Sequence, residues 1–302
     1  TCNDEFERSM CREYREMIAQ LRNHPSVCMW GLFNEMCCRG NGRSREMTHD
    51  ILSRLNAFVH RQDPSRPTVA AMDRFNFPEL NALPDQLAFN RYPGWYHKMS
   101  MREMLDECFE KTGRSTLGIS EYGVGASVIQ HGEPTAAVEA TERWHPEEYQ
   151  AYRMHDNLKE MTAEPRIWGH FVWAMFDFGA DNRREGDRHG INDKGIVTHD
   201  RRTKKDVFYL YQANWTKTPV LHLVGQHMTS VTNAALTVMG FSNVGPVTLK
   251  ANGTVVGTQA PDAACGVVWP DVGLRPGDNE IVLEAGGRTD RCIWNRTSTP
   301  ED

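Results

Sequence analysis

Apolar positions along this chain recur at two different spacings. Phe6, Met10, Tyr14, Met17, Ile18 and Leu21 fall on one face of a 3.6-residue repeat and predict a helix over 4–22. Asn23-His24-Pro25 ends that repeat, and residues 27–33 follow as a continuous apolar run. Such a run suits a strand buried on both faces of a parallel sheet. The alternation continues with a helix over 44–62, whose Ile51, Leu52, Leu55, Phe58 and Val59 share a face, and strands at 68–72 and 86–90. A helix over 99–111, a strand at 116–120, an insertion over 122–144, a helix over 146–162 and a strand at 167–175 complete the series. Strand-then-helix rhythm predicts an α/β fold with a parallel sheet. Polar residues gather just after the strands: Asn34 and Glu35, Asp73, Asn90 and Tyr92, Glu121 and Tyr122, then Trp173 onward. A (β/α)₈ barrel builds its active site at those ends. A doubly wound sheet shares the rule but usually opens with a Gly-rich phosphate loop, which this sequence lacks.

The pattern changes after about Trp215. Residues 247–251 and 254–258 flank Asn252-Gly253, the strongest short hairpin signal. A turn over 274–279 leads into a strand at 280–284. Short strands at regular spacing predict a small immunoglobulin-like β-sandwich at about 218–297. The expected division is 1–217 for the barrel part and 218–302 for the sandwich, an accessory module with no acid/base pair of its own.

Composition narrows the functional classes. Of 302 residues, 39% are hydrophobic and 25% charged, with a net charge of −6. That balance gives no attraction to nucleic acid or anionic membrane, and no run reaches 18 apolar residues. The basic runs at 183–184 and 201–205 read as solvated faces. Eight cysteines include the vicinal Cys37-Cys38 but no CxxC pair and no zinc spacing. Reduced thiols in the cytoplasm are the expectation, reinforced by a charged N-terminus without an apolar signal region.

Two segments carry the chemistry. The run ending at Glu35 and the run ending at Glu121 each deliver one glutamate at a strand end. Either alone would read as a helix-terminal or surface acid. Together, and with Tyr92, Trp95, Tyr96, Tyr122 and Trp173 available to stack on sugar rings, they suit glycoside hydrolysis. At this point a resemblance becomes specific. NHPSVCMWGLFNE (23–35) resembles the acid/base signature of family 2 glycoside hydrolases, and ISEYG (119–123) resembles their nucleophile segment. NRYPGWY (90–96) and the stretch 169–215 are similar to family segments in the same order, and the C-terminal sandwich resembles the extra module of the family's bacterial β-galactosidases.

The resemblance implies an incomplete barrel, about strands four to eight, since a family member carries three further strand-helix units and two β-domains before this point. It implies a carbohydrate substrate, no cofactor and no metal, with homo-oligomerisation open. Glu35 would be general acid and then base, with a pKa raised by burial, and Glu121 the nucleophile. Asn34 would hold the sugar 2-hydroxyl, Tyr92 the nucleophile, and Trp173 a wall of the site, with Asn90 among the substrate-binding residues. Asn192 and Lys194 match an Asn-x-Lys that binds the sugar carboxylate in β-glucuronidases of the family. The surrounding GINDKGIVTHDR looks more like its β-galactosidases, which puts galactoside ahead of glucuronide; a lysine paired with a nearby aspartate is the structural alternative. His24 reads as a turn residue, His155 as a surface histidine, Met10 and Met17 as core fillers. Asp177, Asp181 and Glu185 read as partners for neighbouring arginines rather than as a cation site.

Overall fold

The computed structural model describes residues 3–36 and 42–297, so Cys37-Cys38 lies outside the described residues. The chain forms two compact units, one of residues 1–91, 102–122 and 165–171, the other of 92–101, 123–164 and 172–302.

The first unit opens on helix α1 (Asp4–Leu21). The Asn3 side chain accepts from the Phe6 amide at 2.8 Å, and three acids occupy the first turn, so cap and helix dipole agree. The face it buries is carried by Tyr14 and Ile18, whereas Met10 and Met17 are only half-buried. Strand β1 (Trp30–Asn34), helix α2 (Gly42–Gln62), strand β2 (Thr68–Met72), the short helix α3 (Pro78–Asn81), strand β3 (Gln86–Asn90), helix α4 (Met101–Thr112) and strand β4 (Leu117–Tyr122) follow. Strand β5 (Ile167–Val172) completes a five-stranded sheet in the order β1-β2-β3-β4-β5. Pairs β1·β2, β2·β3 and β3·β4 are parallel. The central β3 is nearly continuously buried, while the edge strands β1 and β5 are not. A parallel sheet with two open edges is part of a barrel wall, which is a partial barrel. Strand β1 begins three residues later than its apolar run, because Pro25 and the turn after it consume the start.

The second unit contains helix α5 (Glu147–Thr162), the paired strands β6 (Phe178–Gly179) and β7 (Ile191–Asn192), and helix α6 (Asp206–Trp215). Strands β8 (Leu221–Leu223), β9 (Ser230–Val231), β10 (Ala235–Ser242), β11 (Val247–Ala251), β12 (Thr254–Gln259), β13 (Gly266–Gly273), β14 (Gly277–Ala285) and β15 (Arg288–Arg296) follow. They make two sheets, β13-β10-β8 and β12-β11-β14-β15-β9, which share one apolar core that includes Val238, Leu249, Trp269, Leu283 and Trp294. Asn252 and Gly253 both adopt positive φ, 50° and 78°, as the two-residue turn between β11 and β12 requires. Helix α6 escapes the sequence pattern because its apolar residues lie on both sides.

Leu283 is fully buried between the two sheets. Leu283→Ala should lower the unfolding free energy by about 2–5 kcal/mol in chemical denaturation, through lost transfer energy and the cavity left behind.

Candidate active site

In the first unit, candidate functional groups lie at the carboxyl ends of strands of one sheet. Asn34 and Glu35 end β1, Asn90 ends β3, and Glu121 and Tyr122 end β4. Register shifts occur at these ends, between Gly31 and Asn34 and between Phe89 and Asn90, where bulges re-aim side chains. Asn90 is the hub. Its Nδ2 donates to Asn34 Oδ1 at 3.0 Å and to Glu35 Oε1 at 2.7 Å, while its Oδ1 accepts from Ser120 Oγ at 2.7 Å. Asn90 is also the Cα partner of Glu121 across the β3·β4 ladder. One buried amide thus ties both glutamate-bearing strand ends to a common frame. Glu35 itself has φ 49°, a left-handed conformation uncommon for a side-chain-bearing residue, and its amide donates to the Ala71 carbonyl at 2.9 Å.

Arg91 stiffens the frame. Its guanidinium lies 4.4 Å from the Phe75 ring centroid and donates to the Asp73 carbonyl at 2.7 Å, and its amide donates to the Glu121 carbonyl at 2.8 Å. The Tyr122 hydroxyl lies 3.4 Å from His170 Nδ1, and burial holds that imidazole below its usual pKa. Ser120, Arg91 and His170 were not singled out from the sequence. Only His170, a polar residue inside the apolar run 167–175, left a visible signal.

In the second unit, Lys194 is buried at 2% exposure. Its ammonium has Asn192 Oδ1 at 3.4 Å and the faces of Tyr96 and Trp95 at 5.0 and 5.9 Å. No carboxylate pairs with it among the described residues. Arg183 donates to the Tyr96 hydroxyl at 2.9 Å and to Glu185 at 2.8 Å. Tyr92 is buried beside Tyr96, and Trp173 is partly exposed with its ring edge-on to Phe178 at 5.7 Å.

The family model for glycosyl hydrolases family 2, TIM barrel domain, matches residues 1–218. The chain belongs to glycoside hydrolase family 2. A β-glucuronidase of Bacteroides fragilis is 40% identical over 276 residues, covering 90% of this chain and 39% of its own length. An FMN-binding β-glucuronidase of Facaelibacterium prausnitzii superposes with TM-score 0.85 at 32% identity, over 99% of this chain and 46% of that one. A Bacteroides fragilis protein provisionally named a β-galactosidase superposes equally, TM-score 0.85, at 27% identity over 97% of this chain and 44% of its own. The chain therefore spans less than half the length of these relatives.

Within this family 2 chain several expectations change. Glu35 is exposed, so these residues do not supply the burial that a general acid calls for. His155 is not a surface residue. It is buried with its Nε2 at 3.1 Å from Asp262, and Gly266 makes room for it, since a Cβ there would come within 2.1 Å of Nε2. Burial opposes ionisation of Asp262, but His155 and the Gly266 and Ala264 amides hold its carboxyl well below the usual range. The solvated reading of 201–205 fails at Lys205, which is 0% exposed and lies 2.8 Å from Asp177. Burial lifts the Asp177 carboxyl above its usual value despite that ammonium. Asp177 thus pairs with a lysine rather than with the nearby arginines, and Glu185 pairs with Arg183 as expected. His24 keeps its turn role through its amide, which donates to the Leu21 carbonyl.

Sequence reading missed one further cluster. Glu147 and Glu148 start α5, Asp206 starts α6, and each meets an imidazole: His227 at 2.9 Å, His131 at 2.8 Å and His222 at 2.7 Å respectively. Ligand atoms of Glu147, Asp206 and His227 lie within 4.8 Å of one another. Imidazole and backbone donors already occupy them, so the cluster reads as paired charges. Burial first, and the charge of Asp206 next, raise the Glu147 carboxyl. His227 is raised by its bond to Glu147, and His131 is raised by Glu148 against the pull of burial.

Two outcomes follow from these charges. An acid with a raised folded pKa loses its contribution as pH climbs past the ordinary carboxylate range, and a raised histidine loses its own above the ordinary imidazole value. Both signs agree, so the melting temperature should fall as pH rises from about 6 through the neutral range. Lys205→Met, which strands Asp177 without a cation, should cost about 3–5 kcal/mol in denaturant unfolding.

Proposed function

We propose that the protein carrying this chain hydrolyses β-glucuronides with retention of anomeric configuration. One observation carries the glucuronide reading: Lys194 is a buried ammonium with an amide and two aromatic faces around it and no carboxylate partner among the described residues. An unneutralised buried cation is unfavourable until an anion arrives, and a sugar carboxylate completes it. The β-glucuronidase relatives at 40% and 32% identity support the same choice over galactoside. Galactoside is the second reading, favoured by the segment around Asn192.

In this reading Glu121 attacks the anomeric carbon as Glu35 gives its proton to the departing glycosidic oxygen, leaving a glycosyl ester on Glu121. Glu35 then takes a proton from water as that water attacks the anomeric carbon and frees the Glu121 carboxylate. The double displacement calls for carboxyl groups about 5–5.5 Å apart. Asn90 suits a positioning part, because it donates to Glu35 Oε1 and so orients that carboxyl. The family resemblance assigns Asn34 to the sugar 2-hydroxyl, Tyr92 to the nucleophile and Trp173 to the sugar wall, and gives the module at 218–302 no catalytic part.

In the whole protein, 4-nitrophenyl β-glucuronide should be turned over in preference to the β-galactoside. Glu121→Gln should lower kcat by at least about 10³-fold. Lys194→Ala should lower kcat/KM for the glucuronide by about 30- to 10³-fold and leave any galactoside turnover little changed. Equal losses on both substrates would refute the carboxylate reading.

A further inference from the structure

The chain sets an anion between Asn192 and Lys194, since residue 193 is aspartate. A carboxylate one residue from a buried ammonium is its natural partner, and pairing would neutralise the cation before any ligand did. In this fold Asp193 is engaged elsewhere. Its Oδ2 lies 2.5 Å from His145 Nδ1, with side-chain exposures of 7% and 0%. The recess fits the carboxylate closely. A Cβ on Gly125 would come within 2.4 Å of Asp193 Oδ1, and one on Gly186 within 2.6 Å of Oδ2.

The pair is fixed from both sides. The Asp193 carbonyl accepts from the Ala126 amide at 3.1 Å and from Lys205 Nζ at 2.7 Å. The His145 amide donates to Gln130 Oε1 at 2.7 Å, and its carbonyl accepts from the Ser127 amide at 2.8 Å. The His145 ring stands edge-on to Trp95 at 4.6 Å, and Trp95 is one of the aromatic faces near the Lys194 ammonium. His145 Nε2 is buried without a hydrogen-bond partner, so Asp193 is the one polar engagement of this side chain.

We propose that His145 is a positioning residue for anion recognition: by holding the Asp193 carboxylate in its recess, it keeps the neighbouring Lys194 ammonium free for an anionic ligand group. The proposal rests on the glucuronide reading above and explains how the Asn-Asp-Lys triplet stays cationic. Without the imidazole donor, Asp193 becomes a buried charge in need of a partner, and the adjacent ammonium supplies one.

The test uses the whole protein and both nitrophenyl glycosides. His145→Phe should raise KM for the glucuronide about tenfold with a smaller change in kcat, and leave KM for any galactoside turnover within about twofold. His145→Phe combined with Asp193→Asn should bring the glucuronide KM back to within about threefold, because no carboxylate remains to neutralise Lys194. His145→Asn, whose amide can still donate to Asp193, should lie nearer the parent. Gly186→Ala brings a Cβ to 2.6 Å from Asp193 Oδ2 and 3.3 Å from His145 Nδ1, so it disturbs the same pair and should act like His145→Phe, which covers the case where the latter does not fold. A purely structural role would raise KM for both glycosides, and the second substitution would worsen it; either result overturns the proposal. A substrate-free readout separates the two readings. The Lys194 ammonium resonance, followed by ¹⁵N NMR and assigned with Lys194→Met, should move in His145→Phe and return in the double variant. If the parent turns over no glucuronide, the glucuronide reading falls, and an unmoved Lys194 resonance then overturns the role of His145 on its own.

Discussion

The ammonium of Lys205 is fully buried and bonds at once to Asp177 at 2.8 Å and to the carbonyls of Ala126 and Asp193, each at 2.7 Å. Three segments far apart in sequence are thereby held at one point in the second unit. Asp177 Oδ1 also accepts from the Gly195 amide at 2.8 Å, so the loop bearing Asn192 and Lys194 is gripped on both sides. A buried ion pair of this kind contributes little net energy, yet removing one partner is costly. Its value lies in geometry: the loop bearing Asn192 and Lys194 cannot shift without exposing or orphaning a charge.

The same economy of pairing runs through the rest of that unit. Asp193 has His145, Asp262 has His155, and Glu147, Glu148 and Asp206 have His227, His131 and His222. All five partners are imidazoles. Against this background Lys194 stands out, since the fold pairs the other buried charges near it and leaves this ammonium to an amide and aromatic faces.

In the first unit the constraint is an uncharged one. Asn90 donates and accepts simultaneously, linking Asn34, Glu35 and Ser120, and its strand register sets it opposite Glu121. An amide suits this position better than a carboxylate or an ammonium, because it orients a glutamate without adding charge beside it. Glu35 is exposed just past β1, an edge strand whose Trp30 and Leu32 are nonetheless buried.

Local pattern in the sequence determined the elements and their order, because helix and strand periods are written in apolar spacing and the breaks at Pro25 and Asn252-Gly253 are short-range chemistry. It also determined the family, through motifs contiguous in the chain. The short strands β6 and β7 and helix α6 were not legible, since neither two-residue strands nor a helix apolar on both sides leaves a period. Which charges meet was decided by tertiary structure alone. Lys205 looked like part of a solvated basic run and is the most deeply held cation, and His155 looked like a surface residue and is buried against Asp262. Lys194 sits beside an aspartate in the chain whose carboxylate meets His145, 48 residues from that aspartate. Spacing along the chain reports what a residue can reach locally; burial and long-range partners, which fix charge state and availability, exist only once the chain has folded.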